Sequence, residues 1–413
     1  MSTAASVYCH PRVIAILFLG FASGLPLALT ASTLGVWLTE SGISLSTIGV
    51  FSAVGTPYAL KFLWAPLIDG TNFPVLSRLL GRRRGWMVAM QLALMASIAS
   101  FGLLNPVTDT FAFAMLALLT AIFSASQDTV IDAYRVEILS PEQYGAGAAN
   151  AVLGYRLGMI VSSAGPLFIY KTIGWPMTYG IMAALMAVGM VTVLLMGEPT
   201  HTRSPLPGNW LQQHVMAPIR DFATREHWLL ILLFILLYKL ADAFMGMVTN
   251  PFLLSIGFTG PQIGTVLKVY GVIATIVGSF IGGSLVFRLG MVRSLWICGI
   301  AHALTNLMFV AQAHVGSDVH FLAASITLQN VSGGMGTAAF VAYISNLCNL
   351  RFTATQYALL SSLSAFGRTW LSTPAGWVAT QLGWAGFFLF AAALAVPGLY
   401  VLWLLNRRIN NPI

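Results

Sequence analysis

Long apolar stretches recur from one end of this 413-residue chain to the other. A helix that crosses a bilayer needs roughly 20 apolar residues, and the sequence predicts twelve such spans. Only 8% of the residues are charged, whereas a soluble domain carries about 25%. The sequence therefore excludes an ordinary soluble enzyme and predicts an all-α integral membrane protein. Spans one to twelve are Val13–Trp37, Ser46–Ile68, Trp86–Leu104, Thr110–Ala133, Tyr144–Tyr170, Pro176–Met196, Trp228–Leu254, Gln262–Phe287, Leu295–Ala313, Val319–Leu347, Gln356–Thr380 and Trp384–Leu405.

The basic residues between the spans fall almost entirely on one side. With the N-terminus in the cytoplasm, fourteen of them are cytoplasmic, and the opposite side holds only Lys171 with three acids. Basic residues concentrate on cytoplasmic loops, so we expect both termini in the cytoplasm. The fourteen are Arg12, Arg78, Arg82, Arg83, Arg84, Arg135, Arg203, Arg220, Arg225, Arg288, Arg293, Arg351, Arg407 and Arg408.

A polar, proline-containing connection at residues 197–227 divides the spans into two sets of six. It predicts an N-terminal bundle at 1–196, a cytoplasmic linker and a C-terminal bundle at 228–413. The bundles resemble each other: Gln143-Tyr144 and Gln356-Tyr357 are each followed by a membrane arginine and then by a Gly-Trp pair. Chance similarity between apolar segments is the alternative. A duplicated transporter would place its substrate site near the bilayer midplane.

Charged residues inside spans are costly and are candidates for function. Asp128 and Asp132 lie four residues apart on one face of span four, where their repulsion would keep one of them protonated. They are therefore candidates for proton coupling; the alternative for Asp132 is a structural pair with Arg135 or Arg156. Asp242 is a third candidate, and it can pair with Lys239 on span seven. Binding of a substrate or a proton could break this pair; the alternative is a static pair.

The remaining cations and polar residues are candidates for substrate binding. Arg156 and Arg368 occupy equivalent places in the two repeats, and a guanidinium binds a carboxylate through two parallel bonds. Pairing with Asp128, Asp132 or Asp242 is the alternative. Lys61 and Lys268 are equally compatible with ligand and structural roles. Amide and aromatic side chains that could bind sugar complete the set: Gln127, Asn330 and Tyr155.

A basic cluster follows an acid at the inner end of span two. Asp69 precedes Arg82, Arg83 and Arg84 in the next short loop. Such an arrangement can form a charge lock that favours one of two conformations; cytoplasmic positive charge alone is the alternative. Further along, span ten carries Gly333-Gly-Met-Gly336, which predicts close helix contact or local unwinding.

The sequence contains no phosphate-binding loop, metal-ligand spacing or nucleophile motif. Its three cysteines, Cys9, Cys298 and Cys348, are scattered. We therefore expect no enzyme activity, no cofactor and no nucleic-acid partner. An ion gradient is then the expected energy source.

Several runs resemble those of the AmpG-type muropeptide permeases of Gram-negative bacteria, within the major facilitator superfamily. The resemblance covers nearly the whole chain. The runs are Gly20-Phe-Ala-Ser-Gly-Leu-Pro-Leu-Ala-Leu-Thr30, Lys61-Phe-Leu-Trp64, Gly81-Arg-Arg-Arg-Gly-Trp86, Ala125-Ser-Gln-Asp128, Val152-Leu-Gly-Tyr-Arg-Leu-Gly-Met159 and Tyr238-Lys-Leu240.

The resemblance implies a proton-driven importer in the bacterial inner membrane. Its substrates would be anhydro-muropeptides, which are GlcNAc linked to 1,6-anhydro-MurNAc with a short peptide. We expect the protein to be a monomer. The resemblance also implies roles in cell-wall recycling, β-lactamase induction and hence β-lactam resistance. Gly24, Gln127 and Asp128 match positions of the family's functional motifs, Gly24 as a residue of conformational gating. Shorter relatives import siderophores, which is the competing identity. Some members continue past span twelve, whereas this chain ends at Ile413; this leaves a narrower substrate range open.

Overall fold

The computed structural model describes residues 4–200 and 208–410, which form helices and turns and include no strand. Arg203, expected in the cytoplasmic linker, lies outside these ranges. The α-helices of the first part are Ala4–Tyr8, Pro11–Thr30, Ser32–Glu40, Leu45–Val50, Thr56–Leu60, Ala65–Gly70, Leu76–Leu80, Arg82–Ser100, Thr110–Ile138, Tyr144–Leu185 and Ala187–Leu195. Those of the second part are Ala217–Ala223, Trp228–Leu237, Leu240–Ser255, Gly260–Thr265, Gly271–Leu289, Met291–Val315, Val319–Leu347, Thr353–Phe366, Ala375–Ala393 and Ala395–Asn410.

Within the described ranges, eight helices are long and apolar enough to cross a membrane by length and composition. One of them, Pro141–Leu195, covers predicted spans five and six, and another, Ala375–Arg407, covers span twelve and the end of span eleven. Span ten is the continuous helix Val319–Leu347, so its glycines do not unwind it. Span two is divided into short helices around 3₁₀ turns at Phe51–Gly55 and Lys61–Leu63, in a stretch that also contains prolines.

The chain forms two compact units. The first comprises Met1–Pro141, Asn150–Pro218 and Cys348–Ala358, and the second comprises Glu142–Ala149, Ile219–Leu347 and Leu359–Ile413. Each unit therefore contains a short segment from the other half of the sequence. The boundaries 1–196 and 228–413 stay a prediction. Within the predicted linker, residues 210–223 are helical.

The same dipeptide changes the chain direction once in each unit. Gly174 has φ +76° and Gly383 has φ +66°, values that glycine adopts without the steric cost of a side chain. The tryptophan that follows packs into an aromatic cluster in both cases. Trp175 stacks on Trp37 with ring centroids 5.4 Å apart, and Trp384 lies 5.3 Å from Phe252. The Gly-Trp match of the two halves thus corresponds to a shared local structure.

Spans one and five cross at very short distance in the first unit. A Cβ atom added at Gly24 would collide with the carbonyl group of Tyr155, and one added at Gly158 would collide with the carbonyl oxygen of Phe21. Small residues allow two helix backbones to approach closely in a membrane. Gly24 therefore serves a close helix contact.

The helix Thr110–Ile138 extends beyond predicted span four. Arg135, expected on the cytoplasmic side, lies in its last turn and is only 5% exposed. The helix continues one turn beyond the apolar stretch because Arg135 and Glu137 both find partners in the first unit. Paired charges can extend a helix past the end of its apolar run.

Candidate functional site

Asp128 and Asp132 have different surroundings on the helix Thr110–Ile138 of the first unit. The Ser23 hydroxyl donates to Asp128 at 2.5 Å, and no cation lies within 4.0 Å of Asp128 among the described residues. Asp132 accepts from Lys61 Nζ at 3.4 Å and lies 3.1 Å from an Arg135 nitrogen. Asp132 is thus a paired carboxylate, whereas Asp128 is bonded to a neutral hydroxyl.

Gln127 is fully buried beside Asp128. Its amide nitrogen donates to the backbone carbonyl of Ala22 at 3.1 Å. In this structure Gln127 therefore connects span four to span one. Tyr155 is half-buried on span five, and its backbone contacts span one at Gly24.

The pair predicted on span seven is present in the second unit and includes a third member. Lys239 Nζ lies 2.6 Å from Asp242 Oδ2 and also donates to the Thr337 hydroxyl at 3.0 Å. The other oxygen of Asp242 pairs with Nε2 of His302. His302 was not among the predicted site residues. The three side chains border a cavity of about 20 Å³, which is room for one water molecule.

Three predicted cations have no acid partner. Arg156 is half-buried, Lys268 and Arg368 are exposed, and none makes a side-chain ion pair within the residues the structure describes. Lys268 and Arg368 lie in π-helical turns, Val266–Tyr270 and Gly367–Leu371. Such turns occur frequently at functional sites. Arg156 belongs to the first unit and the other two to the second.

Asn330 lies on the helix Val319–Leu347 and is engaged within the second unit. Its amide nitrogen donates to the Ile326 carbonyl at 2.9 Å, and its oxygen accepts from the Thr275 hydroxyl at 3.1 Å. The bond with Thr275 thus connects spans eight and ten. The amide has a second N–H and a second lone pair, through which it could bind a substrate.

The predicted charge cluster around Asp69 is present in the first unit. Arg83 is fully buried and lies 2.7 Å from Asp69 and 2.5 Å from Glu137. Arg82 donates to the backbone carbonyl of Asp69 at 2.5 Å. Arg84 instead binds the carbonyl of Val193 at 2.9 Å. A buried arginine with two carboxylates has its charge compensated, so the cluster is a built ionic site rather than only a basic loop.

This cluster also contains residues that were not predicted from the sequence. Glu198 accepts from the backbone amides of Arg83 and Arg84 at 2.8 and 3.0 Å. Thr355 donates to the Asp69 carboxylate through its amide at 2.7 Å and its hydroxyl at 2.8 Å. Beside the cluster lies a cavity of about 420 Å³ lined by Asp69, Gly70, Thr71, Asn72, Arg82, Glu137, Glu198 and Pro199.

The sequence model of the Major Facilitator Superfamily matches residues 16–311 of the chain. The Anhydromuropeptide permease of Escherichia coli K12 is 47% identical over 406 residues, which cover 98% of this chain and 82% of that protein. The Putative transporter AmpG 4 of Rickettsia conorii is 36% identical over 405 residues, which cover 97% of each chain. These relatives are permeases and transporters.

Solved structures share the fold at low sequence identity. The transporter FucP in the outward conformation superposes with a TM-score of 0.70 at 13% identity, covering 96% of this chain and 99% of that one. The proton:xylose symporter XylE gives 0.66 at 11% identity, covering 97% and 95%. Identities this low establish the fold alone, and the twelve-span fold class predicted from the sequence is confirmed.

The sequence matches extend over nearly the whole chain, and the solved neighbours have the same helical architecture. Both agree with the family predicted from the sequence runs. The chain is a multi-pass membrane transporter and not an enzyme. It belongs to the Major Facilitator Superfamily and, within it, to the AmpG-type permeases.

Proposed function

We propose that this chain imports anhydro-muropeptides across the bacterial inner membrane together with protons. Such substrates carry peptide carboxylates beside an uncharged disaccharide. The observation that carries the proposal is the set of three unpartnered membrane cations, Arg156, Lys268 and Arg368. A cation in a membrane span is costly without a partner, and an anionic substrate would supply one. The 47% identity to a permease named for this substrate class supports the choice.

Asp128 is the acid best suited to carry the coupled proton. It has no cation partner within the described chain, so it can lose its charge without leaving a buried cation uncompensated. Asp132 stands between Lys61 and Arg135, and its protonation would leave both without their acid. Asp242 is held by Lys239 and His302. A proton on Asp242 would release Lys239 for a substrate oxygen, which is one way to link proton and substrate binding.

The Asp69 cluster is proposed as the gate, with the termini on the cytoplasmic side. It connects the loop before span three to the segment Cys348–Ala358 of the other half of the sequence. Rocking of two bundles about the substrate site, as expected for inverted or repeated transporter folds, would have to break these bonds. We expect the monomer to be the working unit and the proton gradient to be the energy source.

Uptake into proteoliposomes tests the proposal. Purified protein should accumulate radiolabelled GlcNAc-anhydro-MurNAc-tripeptide when an inward proton gradient is imposed, and a protonophore should abolish the accumulation. Ferric siderophores should not compete at equal concentration. Uptake no greater than in protein-free liposomes would contradict the proposal. Gradient-driven uptake of a ferric siderophore, without transport of the muropeptide, would instead assign the chain to the siderophore importers.

A further inference from the structure

The carboxylate of Asp242 lies at one end of a row of polar side chains in the second unit. His302, which pairs with Asp242, also shares a hydrogen bond with Ser332 at 3.1 Å through Nδ1. The Thr305 hydroxyl lies 2.8 Å from the same Ser332 hydroxyl. The row therefore crosses between two neighbouring helices, Met291–Val315 and Val319–Leu347.

Two further polar side chains of the helix Met291–Val315 lie between His302 and the loop that joins spans nine and ten. Asn306 is one helical turn beyond His302, and Gln312 donates to the Gly316 carbonyl at 2.8 Å where the helix ends. Ten residues separate His302 from Gln312, which is about 15 Å along a helix axis. Ser325 lies on the neighbouring helix, seven residues from Ser332, and therefore on nearly the same face.

Three members of the row are fully buried and incompletely bonded. Asn306, Gln312 and Ser325 each have 0% exposure. Both polar atoms of the Asn306 amide, the Gln312 oxygen and the Ser325 hydroxyl have no hydrogen-bond partner within residues 4–200 and 208–410. A buried polar atom without a partner destabilises the fold, and proteins usually satisfy such atoms with ordered water.

We propose that water enters the second unit along this row and carries protons between the Gly316 loop and the His302–Asp242 pair. The proposal rests on the proposed proton symport and adds its route through the second unit. Around Asp242 the titratable and charged groups are Lys239 and Tyr238 from span seven and His302 and Cys298 from span nine. Span ten contributes the neutral Ser332 and Thr337. His302 is thus the group that can pass a proton between the row and Asp242.

Thiol labelling tests the water route without any transport. In a background with Cys9, Cys298 and Cys348 replaced by alanine, Asn306→Cys should react with the small water-soluble reagent MTSEA. Ala391→Cys is the control, because Ala391 is fully buried in the apolar core of the same unit and should stay unmodified. Reaction at 306 and not at 391 supports the route. Absence of reaction at 306 overturns it.

Transport measurements then test whether protons move along the row. Asn306→Leu should reduce gradient-driven accumulation by about tenfold or more, since a positioned proton-transfer group contributes at least that much. Substrate counterflow, which needs no net proton movement, should stay within about twofold. Asn306→Ser leaves space and a hydroxyl for water and should restore accumulation. Unchanged accumulation in Asn306→Leu overturns the route.

Failure of the symport proposal has a different signature. A wild-type protein without gradient-driven uptake contradicts the proposed function, whereas MTSEA labelling at position 306 still decides whether water enters the row. Asn150→Leu serves as a second control, because Asn150 is a buried asparagine of the first unit that donates to the Val13 carbonyl at 2.9 Å. It should change accumulation and counterflow in the same proportion.

Discussion

Thr355 binds the carboxylate of Asp69 twice, through its backbone amide at 2.7 Å and through its hydroxyl at 2.8 Å. The two residues are 286 positions apart in the chain. Both residues are buried, with 3% and 2% of their surface exposed. Asp69 also pairs with Arg83, and Thr355 therefore bonds to an acid whose charge is already compensated. The hydroxyl bond can be removed without leaving a buried charge alone.

Thr355→Val should weaken this contact and keep the amide bond. A hydrogen bond to a charged group contributes about 1.5–3 kcal/mol, so we expect a clearly lower melting temperature of the protein in detergent. Thr353→Val is the matched control. Thr353 is also buried, but its hydroxyl donates only to nearby backbone carbonyls, that of Leu350 at 3.1 Å and that of Asn349 at 3.5 Å. Equal melting temperatures for the two variants would contradict a special role of Thr355.

Sequence patterns predicted part of this cluster and missed its long-range members. The acid Asp69 and the arginines after it are close in sequence, and their opposite charges indicate a local lock. Glu137 and Thr355 reach the same place from distant helices, and Glu198 from the segment after the helix Ala187–Leu195. No spacing rule connects residues from four separate helices, because tertiary packing alone brings them together. A buried acid at 137 was a usable signal, since acids are rare at the ends of apolar spans.

Asp128→Asn should abolish gradient-driven uptake and leave the protein correctly inserted. Asparagine has nearly the same shape and still accepts from Ser23, but it cannot release a proton. Counterflow of labelled substrate should continue, and a gradient should no longer increase it. The measurement is the ratio of accumulation with and without an imposed proton gradient.

Asp132→Asn provides the contrast. It leaves Lys61 and Arg135 without their carboxylate. Breaking a fully buried pair costs about 3–5 kcal/mol, and this partly buried pair should cost less. We therefore expect lower yield and a lower melting temperature, together with loss of both transport modes. If Asp132→Asn lost coupling alone, and Asp128→Asn kept it, the two roles would have to be exchanged.

The group formed by Lys239, Asp242 and His302 was predicted only in part from the sequence. Lys239 and Asp242 stand three residues apart, so their pair is a local pattern. His302 is one of seven histidines in the chain, and its contact with Asp242 depends on how spans seven and nine pack. One sequence signal existed: His302 and Asn306 are four residues apart and lie on one face of an apolar span. Polar residues repeated at helical spacing there indicate a polar row inside the unit.

Arg156→Ala should weaken binding of substrates with a peptide carboxylate more than binding of the uncharged disaccharide. Arg156 has no partner within the described residues, so its removal leaves no acid uncompensated. Loss of a charge-assisted bond corresponds to about 1.5–3 kcal/mol, or roughly a tenfold to 150-fold rise in the Kd for the charged substrate. Competition binding of both ligands to purified protein measures the difference. Arg293→Ala, an exposed arginine at the start of span nine, should change neither affinity.

Gly24→Ala should destabilise the first unit although it adds a single methyl group. The new Cβ would overlap the carbonyl group of Tyr155, a backbone atom that cannot move without displacing span five. Overpacking of this kind costs about 1–3 kcal/mol, so yield and melting temperature in detergent should fall. Gly35→Ala is the matched control, because an added Cβ at Gly35 meets no atom within 4 Å. In a helix, that exchange removes backbone freedom and should be neutral or slightly stabilising. If both variants melted at the wild-type temperature, the close crossing of spans one and five at Gly24 would not contribute to stability.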